Sequence, residues 1–545
     1  MSNYLSNNEA SGRAAARRRR RLWLASGVAG LTGVVSIAAV GVAGSAGAVG
    51  VGGLNWSSAQ QAAGDGGQGQ HKDPKQAEGN PDDKGRTSPE DPGSEKERGK
   101  EVPCDPDRLI QAIVHANAND GAVLELAKGC TYNLSRNQRG SGLPEITADI
   151  TLRGEHTTIT REATADRFRI LTVGPGGHLT LEGLTVKGGQ TTEFHRALAP
   201  EQVWGMYSNS VEMSKAAAAG RPVTAAATGA DKITATPRAT VKVAPRADVA
   251  QPLVEEPGYA DGAGVLVEPG GSAEIIDTAI VDNQSGGNGG GLANFGSTRL
   301  TRSTVAHNTA FFFGGGILNA GLLKLDETKV EDNTGIIGGG GIANGTPGIF
   351  RRDIEAGTVL VEKSKITDNE TLGFGGGLAA VGGTTNVYSS TIDSNTAVLA
   401  GGGVAAIDAQ VALNGVTVDR NSTAGVGGGL AVAFDSAVTI NKTVVKDNTA
   451  GFFGAGLFNT LSVTTVRDSE IAGNRAIGPF GVGGGIFNLF GRVTLATSQV
   501  VHNSATITGG GVFTFPRGVT VDNNTTIAAN RPNNCAGAPV PNCFG

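Results

Sequence analysis

Six charged side chains at repeated positions could do chemistry together: Asp332, Asp368, Asp393, Asp419, Arg420 and Lys446. They fall in the two positions before a recurrent asparagine, which read Glu331-Asp332, Thr367-Asp368, Asp393-Ser394, Asp419-Arg420 and Lys446-Asp447. If the segments carrying them stack as neighbouring strands, about 4.8 Å apart, Asp332 lies beside Asp368 and Asp393 beside Asp419. Carboxylates so placed could hold a calcium ion, with Asp332 and Asp368 as its ligands, or form a retaining pair for cleaving a sugar bond. Lys363, Lys365, Arg420 and Lys446 would add basic groups, so the catalytic candidates are Asp368, Asp393, Asp419, Arg420 and Lys446. The plainer alternative is solvated charge at corners that face water. His307 and His502 share one repeat position but sit too many repeats apart to meet.

Other chemistries lack their motifs. The chain has no H-E-x-x-H and no G-x-S-x-G, and its Gly99-Lys100 is followed by Glu101, so it is no phosphate loop. The calcium nonapeptide G-G-x-G-x-D is missing too, which reads the glycine runs as corners and not ion cages. No cofactor is expected beyond possible calcium.

The asparagine itself fixes the architecture. Asn283, Asn308, Asn333, Asn369, Asn395, Asn421, Asn448, Asn474, Asn503 and Asn530 are each preceded at three residues by Ile or Val, and follow one another at intervals of 25, 25, 36, 26, 26, 27, 26, 29 and 27. After all but the last comes a Gly-Gly-Gly or Gly-Ala-Gly group and then a bulky aliphatic, from Gly291-Leu292 to Gly511-Val512. Five residues before the Asn stands a Ser or Thr, with Val416 departing, and eight before it an aliphatic such as Ile275 or Leu300.

Each unit is thus a short strand, a Ser/Thr corner, a short strand, an Asn corner, then a glycine approach to another strand. Three short strands cannot bury their own apolar face, so each unit must stack on the next. Asn accepts the left-handed conformation of a corner, and stacked amides can bond above and below. The prediction is an all-β chain, a single right-handed parallel β-helix. Asp105-Pro106 before Leu109, Ile110 and Ile113 predicts an N-capped helix to about Ala118 that covers its first coil.

The paired Gly-Gly-[Gly/Ala]-[Ile/Leu] and x-x-Asn motifs resemble the repeats of polymorphic outer-membrane proteins and of exported bacterial right-handed β-helix proteins with pectate-lyase-like architecture. That resemblance, over about residues 104–545, is specific for fold. It implies a non-catalytic secreted or surface protein, an adhesin or a binder of polysaccharide or cell wall. The alternative class it allows is a polysaccharide lyase or glycosidase acting on an acidic or cell-wall glycan.

Composition agrees with a folded, exported chain. Glycine is 85 of 545 residues without a Gly-X-Y period, which excludes collagen, and 39% hydrophobic with 17% charged excludes a disordered polyelectrolyte. The formal charge of −5 gives no reason to expect nucleic acid. Arg17 to Arg21 before the apolar Leu22–Gly53 read as an export signal, or as a membrane anchor if uncleaved, over 1–54. The polar, Pro-punctuated 55–103 reads as a disordered linker. Cys104 with Cys130, and Cys535 with Cys543, is the economical pairing for an oxidising compartment. Residues 188–257 read as a lateral insertion whose Trp204, Met206 and Tyr207 could form a binding tip, and 346–356 as a smaller one. The expected partner is a polysaccharide or cell-surface component, met by a monomer.

Overall fold

The computed structural model describes residues 99–191, 260–346 and 354–544. The expected export segment 1–54, most of the linker and the tip residues Trp204, Met206 and Tyr207 lie outside them.

The described chain is a right-handed parallel β-helix of about 14 turns with one helix. A regular turn begins with a five-residue strand such as Thr384–Tyr388, bends, and continues as a three-residue strand, Thr391–Asp393. After the Asn corner comes a two-residue strand, Thr396–Ala397, then the glycines, then Val404–Ile407. Stacking these pieces gives a bent sheet of 25 strands, a narrow sheet of 9 and a third sheet of 12. The register is strict: Ile392 faces Val418, and Leu378 faces Val404, through every pairing between them.

The inward residues form aliphatic columns. Ile275, Leu300, Leu325, Val361, Val387, Leu413, Ile440, Val466 and Leu495 are all buried, each adding roughly 1.5–3 kcal/mol of transfer free energy. No unit could collect that alone.

The Asn ladder runs unbroken down one corner. In each turn the backbone N–H and the side-chain amide of one Asn both donate to Oδ1 of the next, as from Asn369 to Asn395 at 3.0 Å in both bonds. Asn530 ends the ladder on Oδ1 of Asn534. The residue in the left-handed conformation, however, is the one before each Asn: Asp282, His307, Asp332, Asp368, Ser394, Arg420, Asp447, Gly473, His502 and Ala529. This corrects the expectation that Asn itself takes that conformation. The Asn must point inward to reach its neighbours, so the preceding residue makes the bend and sends its own side chain to solvent.

The Ser/Thr corner works alike. The N–H of Thr328 donates to Oγ of Ser364, and that of Ser364 to Oγ of Ser390, both at 3.0 Å. The first glycine of each group has positive φ, as at Gly375 and Gly401. The second lies against the next turn: a Cβ on Gly376 would stand 2.4 Å from the Gly402 carbonyl oxygen.

At the N-terminal end the helix is Pro106–Ala118, with Asp105 Oδ1 accepting from the N–H of Asp107 at 2.8 Å. Its Leu109, Ala112, Ile113 and Ala116 are buried over the first turn. The polar linker expected to reach 103 stops short, because Lys100–Val102 is a strand paired with Ala122–Leu126. Both disulfides form as paired from the sequence, Cys104 with Cys130 and Cys535 with Cys543.

Two features lay beyond the sequence reading. A second buried Asn column, Asn294, Asn319, Asn344, Asn459 and Asn488, lines the end of the third sheet; Asn294 donates to Oδ1 of Asn319 at 2.8 Å. The signal was present, since each stands two residues after the aliphatic that follows the glycines. The outer face of the third sheet is also covered, by Phe313, Phe374, Ala400, Val426 and Phe453 packed on Leu318, Ala379, Ala405, Ala431 and Phe458. That side of the helix is a second core and not a free face.

Candidate functional site

The carboxylates picked out from the repeat are brought together as expected, but with a cation already among them. Asp393 and Asp419 are direct partners across the three-residue strands. Arg420, from the adjacent corner column, bonds to Oδ2 of Asp393 and, at 2.6 Å, to Oδ2 of Asp419. Lys446 stands 3.7 Å from the same Asp419 oxygen. Asp419 is buried, and its Oδ1 has no hydrogen-bond partner among the described residues. The group is a compact ion-pair network on one edge of the bent sheet.

Asp332 and Asp368 occupy the corner column beside it, both left-handed. The carboxyl of Asp368 is held above the usual range, first by partial burial and then by the neighbouring carboxylates Asp332 and Asp393. Calcium takes six to eight oxygens, and among the described residues no three Asp, Glu, His or Cys side chains come together as ligands. Asp332 and Asp368 by themselves supply at most four of those oxygens. His307 and His502 stay in separate turns of that column.

A different place has the shape of a binding site, and sequence reasoning missed it. Where the third sheet hands over to the bent sheet, a groove of about 860 Å³ runs across successive turns, from Gly383 to Gly518. Early turns make this corner with small residues, Ala320-Gly321 or Gly382-Gly383, and Ala356 of the smaller insertion packs on the latter. The following turns use Asp408, Phe434-Asp435, Leu461 and Phe490, all with φ between 49° and 57°.

Those corners stack by backbone bonds: the N–H of Asp408 donates to Phe434 O at 2.9 Å, that of Asp435 to Leu461 O at 3.0 Å, and that of Phe490 to Phe515 O at 2.8 Å. Beneath them the second Asn column is replaced by Ala380, Ala406 and Val432. Ser436 and Ser462 take over part of its work, accepting from the N–H of Ala409 and of Ser436 at 3.2 Å.

The conformation is costly for these side chains. A left-handed residue other than Gly, Asn or Asp costs roughly 1–2 kcal/mol. Leu461 and Phe490 bear that cost while 42% and 59% exposed. Val463 and Phe515 continue the apolar strip at 44% and 54%, with the Phe490 and Phe515 rings edge-to-face at 6.0 Å. Left-handed corners recur all along the stack, as at His307, Lys363 and Arg420; what sets Leu461 and Phe490 apart is that their exposed side chains are large and apolar. Carboxylates, Asp408 and Asp435, line one end of the groove, and guanidinium groups, Arg492 and Arg517, the other.

No family model and no curated protein matches the chain. Among solved structures it is similar to the A-module of mannuronan C-5 epimerase AlgE6 of Azotobacter vinelandii, at 13% identity over 77% of this chain and 94% of that one, with a TM-score of 0.37. The AlgE4 A-module of the same organism is similar at 10% identity over 78% and 96%, with a TM-score of 0.35. At these scores the likeness is of one β-helix to another, and it carries no residue role to this chain.

Proposed function

We propose that this is an exported β-helix protein that binds an extended polysaccharide along the groove between its third and bent sheets. The observation that carries the reading is the exposed apolar pair Leu461 and Phe490, with Val463 between them, in the lining of an elongated groove. Apolar side chains take the hydrophobic faces of sugar rings, while the groove's polar rim offers partners to hydroxyls. The turns repeat at about 4.8 Å, close to the advance of one ring in an extended glycan, so each corner can serve one sugar. Two disulfides fit an oxidising compartment. We further propose that 1–54 directs export, that the polar segment before Gly99 tethers the β-helix, and that the insertion expected over 188–257 begins only after Thr191, since Gly188, Gln190 and Thr191 still bond into the stack. The test is affinity electrophoresis of the full chain through gels loaded with neutral and uronic-acid polysaccharides. Retardation that weakens in Phe490→Asn is expected; no retardation in any gel contradicts the reading.

One observation favours a second reading, in which the chain also cleaves a glycan. Asp368 holds its proton more tightly than an ordinary carboxyl, as a general acid requires; Asp393 lies in the next turn, Asp419 and Arg420 in the one after, and Lys446 one turn further. Product formation from a polysaccharide panel, abolished in Asp368→Asn, would support that reading; binding without turnover would remove it.

A further inference from the structure

The charges of the groove narrow the ligand. Asp408 and Asp435 belong to successive turns, as do Arg492 and Arg517. Pairing of Ala437 with Val463 and of Val463 with Arg492 puts Asp435 and Arg492 two turns apart, about 10 Å along the axis. Between them the lining carries no charge: Ser436, Leu461, Ser462 and Val463. Among the described residues neither guanidinium has a carboxylate partner, as is also true of Arg467, Arg475 and Arg531; what sets Arg492 and Arg517 apart is that both line the groove in adjacent turns. Two planar, fully charged forks in adjacent turns are suited to one carboxylate or sulfate.

The opposite end forbids a repeat of that contact. A chain acidic at every sugar would set its carboxylates against Asp408 and Asp435, where like charges in a partly enclosed cleft repel. A wholly neutral chain would leave the two arginines unused. We infer, resting on the glycan-binding reading above, that the groove selects a mainly neutral polysaccharide carrying isolated acidic groups, one of which seats between Arg492 and Arg517. At one sugar per turn, a chain acidic at every fourth position sets a single carboxylate near Asp408, against one at every turn for a chain acidic throughout.

The experiment uses the full chain and three soluble probes: low-mass deacylated gellan, a linear chain with one glucuronate in each four sugars; polygalacturonate, acidic throughout; and hydroxyethylcellulose, neutral. Gellan should bind about tenfold more tightly than either of the others, the worth of one charge-assisted contact. Arg492→Gln with Arg517→Gln should lower gellan affinity far more than that of hydroxyethylcellulose and so remove most of the difference between the two. Asp435→Asn, which keeps a residue suited to the left-handed corner, should raise polygalacturonate affinity severalfold. Polygalacturonate bound as tightly as gellan, or gellan affinity indifferent to the arginine substitutions, would overturn the inference while leaving glycan binding intact. Failure of all three probes to bind would overturn both.

Discussion

The side-chain amide of Asn395 donates to Oδ1 of Asn421, 2.9 Å away and one full turn further along the chain. The same nitrogen donates to the carbonyl of Ile366 in the preceding turn, also at 2.9 Å. One buried side chain therefore links three successive turns, and the ladder it belongs to holds the register on which every surface column depends.

Asn395→Ala should be among the costliest single changes in the chain. It strips the acceptor from the N–H and amide of Asn369 and leaves the Ile366 carbonyl short of a donor. Each orphaned buried group costs roughly 1–3 kcal/mol, so a loss of several kcal/mol is expected, read by chemical denaturation. Because a solenoid's stability is nearly a sum over neighbours, hydrogen exchange should localise the loosening to turns next to residue 395. A uniform change along the chain would contradict this.

The glycines should separate into two kinds. A Cβ on Gly376 meets the Gly402 carbonyl at 2.4 Å, with both belonging to backbone that cannot withdraw. Gly376→Ala should fail to give soluble folded protein. Gly415 has a φ of 66° and nothing closer than 3.8 Å to an added Cβ, so Gly415→Ala should fold and lose only about 1–2 kcal/mol. Soluble yield and melting temperature check both.

Much of this was legible from composition and spacing alone. The Asn, Ser/Thr and glycine columns recur at fixed offsets because each must bond to or clear its own copy one turn away, and strict contact leaves a strict trace. The end helix and disulfides were legible for local reasons: a capping Asp before Pro, and cysteines bracketing the folded part. The groove was not. Its residues sit in the corner whose length varies from turn to turn, where no column has to match, so Leu461 and Phe490 look like stray apolar residues in one dimension. Nor did spacing show that Arg420 bridges Asp393 and Asp419, since that depends on how far a side chain reaches from the neighbouring column.

Acid should act on two carboxylates in opposite senses. The folded pKa of Asp368 is raised by burial, then by Asp332 and Asp393, so its ionised form weakens the fold as pH rises from the acid range to neutrality. Asp368→Asn should therefore raise the neutral-pH melting temperature slightly, with little change in acid. Asp277 is lowered by its hydrogen bonds and charge pairing with Arg302, so it supports the fold above its unfolded pKa and loses that support as pH falls through the folded one. Both side chains are exposed and screened, so both effects should shrink in high salt. Melting curves across pH would show a contradiction as equal signs for the two variants Asp368→Asn and Asp277→Asn.

Reduction of the Cys104–Cys130 bridge, which ties the start of the capping helix to the first turn, should cost roughly 2–4 kcal/mol locally. Cys104→Ser with Cys130→Ser should expose amides of residues 100–134 in hydrogen exchange and leave those beyond Val265 protected. Global unfolding at the same denaturant concentration would show that the end cap governs the whole stack.

The claim that the exposed apolar corners exist for a ligand is tested most directly by the doubly substituted chain Leu461→Asn, Phe490→Asn, with binding to a retarding polysaccharide and melting temperature measured on the same sample. Asn suits the left-handed corners, so the account predicts a melting temperature equal to or above that of the unaltered protein, together with affinity reduced by about tenfold or more. Undiminished affinity at unchanged stability would contradict it.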